Sequence, residues 1–346
     1  REGVPLAHPT FAQAMVDSGY RTTLVGRHMH QHPYEEGYGF QDRTFASCYV
    51  ENDPYFDALE AAFPGQGGIK GHGLSNNGWN ARPWQFPDPW HPTGWISTRV
   101  REKIRAASNE RPHFLTASYY APHPPLLPPA FYYERYRNLD LPDTAIGDWE
   151  ERPAGSERGC GVDANRVVLE GEALRSAQAG YFGMITHIDD QVFSLLFEFR
   201  RRAAARGRPW VVVFTSDHGE MLGDHYLFRK CEPYEGSSRV PFLIQGSPEL
   251  GFETGRVHRS PVCLEDLAPT LMDLAGIGEP EGMDGRSLLP CVAGTETDRV
   301  TFSESHTNGV YEPCFMVRSG PYKYVYIRNE KGQLYDLDHD PGEWHN

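Results

Sequence analysis

Apolar residues along this chain fall into two kinds of block, and their order outlines a layered α/β protein. Val211-Val212-Val213-Phe214 is an unbroken apolar run, long enough for a buried parallel strand and too short for a helix. Residues 171–205 show the other kind. There Tyr181, Met184, Ile185, Ile188, Val192, Leu195, Leu196 and Phe199 recur at three- and four-residue spacing and predict one long amphipathic helix. It closes on Arg200-Arg201-Arg202 and Arg206, which suit the negative end of the helix dipole, before Gly207 and Pro209. Upstream, Pro9 to Ser18 predicts a short helix stopped by Gly19, and Arg21 to Gly26 a strand. Trp95 to Ala107 reads as a helix, and His113 to Tyr119 as a strand running into Pro122-His123-Pro124-Pro125. Downstream, Val240 to Gln245 is a strand, and Leu264, Leu267, Leu271 and Leu274 mark a helix ending at Gly276.

From about residue 299 the texture changes to short β-rich pieces: Val300–Ser303, Cys314–Ser319, Tyr322–Arg328 and Gln333–Leu337. Alternating strands and helices followed by a run of strands predict an α/β domain over 1–298, with a mainly parallel central sheet. A small C-terminal antiparallel β subdomain is expected over 299–346. Two stretches lack a clear period. Residues 31–92, rich in Gly, Pro, Asn and aromatics, read as a long irregular surface that faces substrate. Residues 124–165, with prolines at 124, 125, 128, 129, 142 and 153, read as loop.

Composition narrows the function. The chain has 346 residues, enough for a large core, and 39% of them are hydrophobic. No apolar stretch approaches the ~18 residues of a membrane span. With 33 basic against 47 acidic residues, the net charge of −14 disfavours a nucleic-acid partner. The six cysteines form neither a disulfide framework nor a zinc spacing, and they do not fix the compartment.

The candidate chemistry follows the 211–214 run. Ser216-Asp217-His218-Gly219 puts a carboxylate and an imidazole side by side at the end of a strand, where open α/β sheets bind ligands. Asp217 and His218 supply a hard oxygen and a nitrogen, half of a divalent-metal site, and Gly219 permits a sharp turn.

Glu220, Gly223, Asp224 and His225 complete a segment that resembles the metal-binding signature of the sulfatase branch of the alkaline-phosphatase superfamily. Other segments resemble that family in order. They are Gly19 to Arg27 with His30; Pro122-His123-Pro124-Pro125; Tyr181 to Gln191; Arg229-Lys230; Tyr234-Glu235-Gly236; Arg239-Val240-Pro241; and Leu334-Tyr335-Asp336-Leu337. The resemblance covers essentially the whole chain. It implies an alkaline-phosphatase-like α/β/α sandwich and hydrolysis of a sulfate ester. It also implies one Ca²⁺ held in part by Asp217 and His218. Lys230 is expected to bind the sulfate and stabilise the bridging oxygen, and His123 to serve the sulfate or the leaving-group oxygen. At the 27–32 strand end the family has Lys-x-His, whereas this chain has Arg27-His28-Met29-His30-Gln31-His32. Arg27 can bind an anion bidentately but cannot pass a proton. His30 is the chosen histidine, with His28 the runner-up, His32 an outer-loop residue, and an adventitious metal site a further possibility. His306 and Asn308 are expected at the pocket mouth as substrate contacts.

One departure is large. Sulfatases carry paired aspartates on an early strand and then a Cys-or-Ser-x-Pro-x-Arg segment whose Cys becomes formylglycine, the nucleophile. No cysteine here has both the Pro and the Arg at that spacing. The expectation is an internal piece of a longer protein, with formylglycine and further metal ligands outside it. The substrate is expected to be an anionic small molecule or a carbohydrate sulfate ester. Two alternatives stay open: a phosphonate or phosphodiester hydrolase of the same superfamily, and a catalytically silent anion-binding module.

Overall fold

In a computed structural model, residues 6, 9–28, 33–47, 53–153, 165–278, 282–306, 310 and 312–346 are described. Along the chain the helices are α1 Phe11–Asp17, α2 Pro54–Ala62, α3 Pro92–Ala106, α4 Ala130–Arg137, α5 Gly171–Arg206, α6 Glu235–Ser238, α7 Leu267–Leu274 and α8 Leu289–Ala293. The strands are β1 Arg21–Gly26, β2 Asp42–Phe45, β3 His113–Ser118, β4 Val211–Thr215, β5 Phe242–Gly246, β6 Val300–Ser305, β7 Cys314–Ser319, β8 Tyr322–Ile327 and β9 Gln333–Asp336. The chain divides into two compact units. One holds 1–139, 176–208 and 275–278, and the other 140–175, 209–274 and 279–346. None of the described helices is long and apolar enough to cross a membrane.

The first unit is built on a parallel sheet in the order β2-β1-β3. The central strand β1 is buried from Thr22 to Gly26, as a strand covered on both faces must be. Its register sets Gly26 opposite Ser118, so β1 and β3 end together. The core beside the sheet gathers Val25, Tyr55, Leu59, Trp84, Trp95, Ile96 and Leu127. α5 begins in the second unit and runs through the first, where Gly180 passes under Ala81 and Leu126.

The second unit holds the pair β4-β5 and the antiparallel sheet β6-β7-β8-β9. β4 runs antiparallel to β5, not parallel as its apolar run had suggested. Apolar content alone does not fix strand direction, because any covered strand reads the same. β8 alternates cleanly, with Lys323, Val325 and Ile327 inward and Tyr322, Tyr324 and Tyr326 outward. Val325, Ile327, Tyr335 and Leu337 join Met221, Leu227 and Tyr234 in one cluster.

Regular structure also occurs where loop was expected. β2 and α2 interrupt the 31–92 stretch, and α4 the 124–165 stretch. α2 carries a start signal: the Asp53 side chain caps Phe56 N at 2.9 Å, and Pro54 stands at the first position. The density of Pro and Gly around these elements hid them.

Candidate active site

Asp217, His218 and Lys230 lie in the second unit, beyond β4. The turn after the strand is held by its own backbone. Gly219 N donates to Ser237 O and Glu220 N to Gly236 O, each at 2.7 Å. Gly219 is required there, because a Cβ would sit 2.1 Å from Gly236 O. The turn points the Asp217 carboxylate outward, with 69% of its side chain exposed. His218 Nδ1 donates to Gly219 O at 2.8 Å, and its Nε2 lies 3.6 Å from Asp217 Oδ2.

This geometry fits a divalent cation. A ligating histidine normally gives its other ring N–H to a carbonyl or carboxylate, which fixes the tautomer and aims the ligating nitrogen. Here Gly219 O accepts from Nδ1, so Nε2 is the nitrogen presented beside the carboxylate oxygen. Two donors do not make a Ca²⁺ site, which takes about six to eight oxygens. No group of three or more candidate ligands occurs among the described residues.

Lys230 is half-buried on a strained loop, between Arg229 (φ 77°) and Cys231 (φ 87°). Left-handed backbone at non-glycine residues is uncommon and clusters at functional sites. Glu220 ties this loop to the Asp217 turn: its carboxylate accepts from Leu222 N at 3.1 Å and from Arg229 N, while Met221 N donates to Arg229 O at 2.8 Å. Burial pushes the Glu220 carboxyl up to about 7, against the opposing pull of those N–H groups and of Lys230 and Arg229. Sequence reasoning passed over Glu220 as a link between the two segments. Its position two residues after His218 was the available signal.

Arg27 and His123 lie in the first unit and meet the same residue. The Arg27 guanidinium stands 5.9 Å from the Tyr120 ring centre, and the His123 ring 4.9 Å from it. Arg27 N donates to Ser118 O at 3.0 Å just past Gly26, whose Cβ would collide with that carbonyl. His123 is fixed by its turn: its backbone N donates to Tyr120 O at 3.2 Å and its Nδ1 to Pro124 O at 2.7 Å. Tyr120 OH also donates to Pro124 O, at 2.8 Å.

The histidines of the 28–32 run separate. His28 is buried among Tyr34, Tyr38, Phe40 and Phe45, and burial lowers its pKa. It is a core residue and drops out as the runner-up. His30 and His32 lie outside the described residues, as does Asn308. His306 stands exposed just past the end of β6, with Nε2 3.3 Å from Glu304 Oε2 and its ring on Phe315. On α5, Asp190 accepts from Tyr132 OH at 2.8 Å and His187 packs on the Tyr132 ring, in keeping with a scaffold role.

An Asp-His-Gly turn at a strand end, tied to a lysine on a strained loop, gathers a carboxylate, an imidazole and an ammonium in one unit. Comparison with known proteins makes this specific. The family profile described as Sulfatase matches residues 2–277, and that of N-sulphoglucosamine sulphohydrolase, C-terminal, matches 223–346. The chain belongs to the sulfatase family, a family of sulfuric-ester hydrolases.

It is 32% identical over 358 residues to an arylsulfatase of Clostridium perfringens, covering 96% of this chain and 72% of that protein. It is 29% identical over 354 residues to a choline-sulfatase of Rhizobium meliloti, covering 97% of this chain and 66% of that one. Among solved structures, the phosphonate monoester hydrolase of Agrobacterium radiobacter superposes with a TM-score of 0.79 at 22% identity, over 99% of this chain and 76% of that chain. A structure bound to its substrate D-glucosamine-2-N,6-O-disulfate gives 0.69 at 17% identity, over 100% and 78%. These likenesses show the alkaline-phosphatase-like fold, with its parallel sheet and C-terminal antiparallel sheet.

Proposed function

We propose that the protein hydrolyses a sulfate ester with the help of one divalent cation, Ca²⁺, held in part by Asp217 and His218. The observation that carries this is the His218 geometry: Nδ1 is committed to Gly219 O and Nε2 stands beside Asp217 Oδ2. Bound there, the cation supplies Lewis-acid stabilisation of negative charge on the sulfuryl oxygens. Lys230 supplies a positive charge for the sulfate and the bridging oxygen, on a loop that Glu220 holds to the Asp217 turn. His123, its Nδ1 occupied by Pro124 O, offers the other ring nitrogen to the leaving-group oxygen. Arg27, with His30, is assigned to the anion as a fixed charge, which a guanidinium fills without proton transfer. His306 and Asn308 are assigned to substrate contacts. The nucleophile is formylglycine, in a Cys-or-Ser-x-Pro-x-Arg segment that is not among these 346 residues. The substrate class is a small or carbohydrate sulfate ester, by analogy with the relatives' names.

A second reading has an observation of its own. The phosphonate monoester hydrolase superposes with the higher TM-score of the two structures, 0.79 against 0.69. Rates on 4-nitrophenyl sulfate and on a phenyl phosphonate monoester, measured on one preparation with and without Ca²⁺, separate the two. The sulfatase reading expects the sulfate to be preferred and chelation to abolish turnover. A preference for the phosphonate transfers the activity to the second reading, and turnover indifferent to chelation removes the metal.

A further inference from the structure

The residues on either side of Lys230 are both left-handed, Arg229 at φ 77° and Cys231 at φ 87°. Such backbone leaves the ladder of any regular element, so each amide has to find its partner elsewhere. Both find a side-chain oxygen. Arg229 N donates to Glu220 Oε1, and Cys231 N donates to Ser237 Oγ at 3.1 Å. Glu220 Oε1 also accepts from Leu222 N at 3.1 Å, itself left-handed at φ 50°.

The two acceptors belong to one frame inside the second unit. Gly219 N donates to Ser237 O and Glu220 N to Gly236 O, each at 2.7 Å, so 219–220 and 236–237 are paired by their backbones. Ser237 is buried in α6, where its N donates to Tyr234 O at 3.0 Å. From each half of this frame one side chain reaches an amide next to Lys230. Met221 N, donating to Arg229 O at 2.8 Å, adds a backbone tie.

The loop needs such ties. Among the described residues, five of the eight non-glycine residues with left-handed φ lie in this stretch: Leu222, His225, Tyr226, Arg229 and Cys231. A loop strained at so many positions keeps its shape only where its surroundings impose it. Around Lys230 the side chains that impose it are Glu220 and Ser237.

We propose that Glu220 and Ser237 are positioning residues, which set where the Lys230 ammonium stands by holding the amides before and after it. This rests on the sulfate-ester reading, in which Lys230 meets the sulfate; neither Glu220 nor Ser237 is given a contact with substrate. Glu220 is the stronger of the two, since a carboxylate accepts a stronger hydrogen bond than a hydroxyl and here accepts two. Misplacing a group at a reacting centre by about 1 Å costs roughly 10²-fold in rate. The loss falls on kcat, because Lys230 is needed most as charge builds on the bridging oxygen.

The test measures turnover of 4-nitrophenyl sulfate and amide hydrogen exchange on the whole protein and on its Glu220→Ala, Glu220→Gln and Ser237→Ala variants. Glu220→Ala is expected to lower kcat about 10- to 100-fold while KM stays within about threefold. Ser237→Ala is expected to lower kcat about fivefold, the scale of one neutral hydrogen bond. Glu220→Gln should keep most of the rate, because its amide oxygen can accept from both N–H groups. In a Lys230→Ala background, Glu220→Ala should cost nothing further. Exchange should quicken over Leu222–Cys231 in Glu220→Ala and stay at the wild-type level across β7 and β8. An unchanged kcat, a Gln variant as poor as Ala, a loss that adds to that of Lys230→Ala, or exchange that quickens throughout the second unit overturns the assignment and leaves the hydrolase reading standing. If the wild type turns over no sulfate ester, that reading fails and exchange alone decides the mounting. Local quickening in Glu220→Ala that Glu220→Gln reverses then supports it, and unaltered exchange removes it.

Discussion

Lys323 Nζ sits 2.7 Å from Glu343 Oε1, and neither side chain exposes more than 1% of its surface. The pair is part of a larger knot. Lys323 also reaches Glu235 Oε1 at 3.1 Å, and Glu343 Oε2 accepts from Glu235 N at 2.7 Å. Glu343 O accepts from Trp149 Nε1 at 3.0 Å, and His225 Nδ1 bonds Glu150 at 2.9 Å. The knot therefore fastens β8 and the C-terminal Pro341–Trp344 turn to α6, five residues beyond Lys230. Removing one partner strands the other charge in a dry site, which costs about 3–5 kcal/mol. Lys323→Met is expected to destabilise by that amount in urea unfolding, and adding Glu343→Gln to recover part of it. A loss below about 1 kcal/mol would show that the lysine is not a structural anchor.

The Gly219 turn gives a sharper handle on the metal. Alanine there must push its Cβ into Gly236 O, 2.1 Å away, so the turn that aims Asp217 and His218 has to open. Gly219→Ala is expected to weaken or abolish stabilisation by Ca²⁺, read as the rise in Tm with added CaCl₂. The variant's Tm without calcium controls for folding. An unchanged calcium response would detach the Asp217–His218 pair from the cation.

Much of this was legible in the chain, for reasons that can be named. α5, expected over 171–205, spans Gly171–Arg206, because apolar residues at three- and four-residue spacing from Tyr181 to Phe199 leave little ambiguity. β1 falls on Arg21–Gly26 as expected, and β7 on Cys314–Ser319. α4 was not legible: FYYERYR has no apolar stripe, and its helix is decided by contacts such as Tyr133 to Ser176 and Tyr136 to Thr186. At the site, Asp217, His218 and Lys230 stand out by motif. The buried Lys323–Glu343–Glu235 knot does not, since a lysine in an alternating strand reads as an outward residue until its register is known. His30 is preferred to His28, the runner-up, but nothing in the sequence tells which of them is buried. Only packing shows that one of them is enclosed by four aromatic rings.

Acid should loosen the first unit through His187. This imidazole is buried against Tyr132 and His91, and burial pulls its pKa down to about 4, with Asp190 opposing. His91 is held neutral by the same cause. The unfolded chain titrates near the ordinary value of about 6.5, so between there and about 4 it binds a proton that the folded chain refuses. Stability is complete above about pH 6.5 and falls as the pH drops toward 4, by about 3 kcal/mol for this one group at about 1.4 kcal/mol per pKa unit. His187→Gln is expected to flatten that part of the acid limb in urea unfolding at pH 7.5 and 5. If its acid limb is as steep as the wild type's, His187 is not the group responsible.

Lys230 carries the most weight in the proposed chemistry. It stands between two left-handed residues, Arg229 and Cys231, on a loop tied to the Asp217 turn by the Glu220 carboxylate and by Met221 N to Arg229 O. Backbone strain on both sides of one lysine is costly, by about 1–3 kcal/mol at each outlier, and persists where the surroundings impose it. A solvated surface lysine needs no such mounting. In a preparation of the protein active on a sulfate ester, Lys230→Ala should lower kcat/KM by roughly 10²-fold or more, the usual loss for one charge-stabilising donor. The fall should lie mainly in kcat, because charge on the bridging oxygen grows only as the S–O bond breaks. Lys230→Arg should recover little, since a planar guanidinium cannot take the place of a compact ammonium in a loop of fixed shape. Near-normal turnover by Lys230→Ala would remove it from the reacting centre and reduce the strained loop to scaffold.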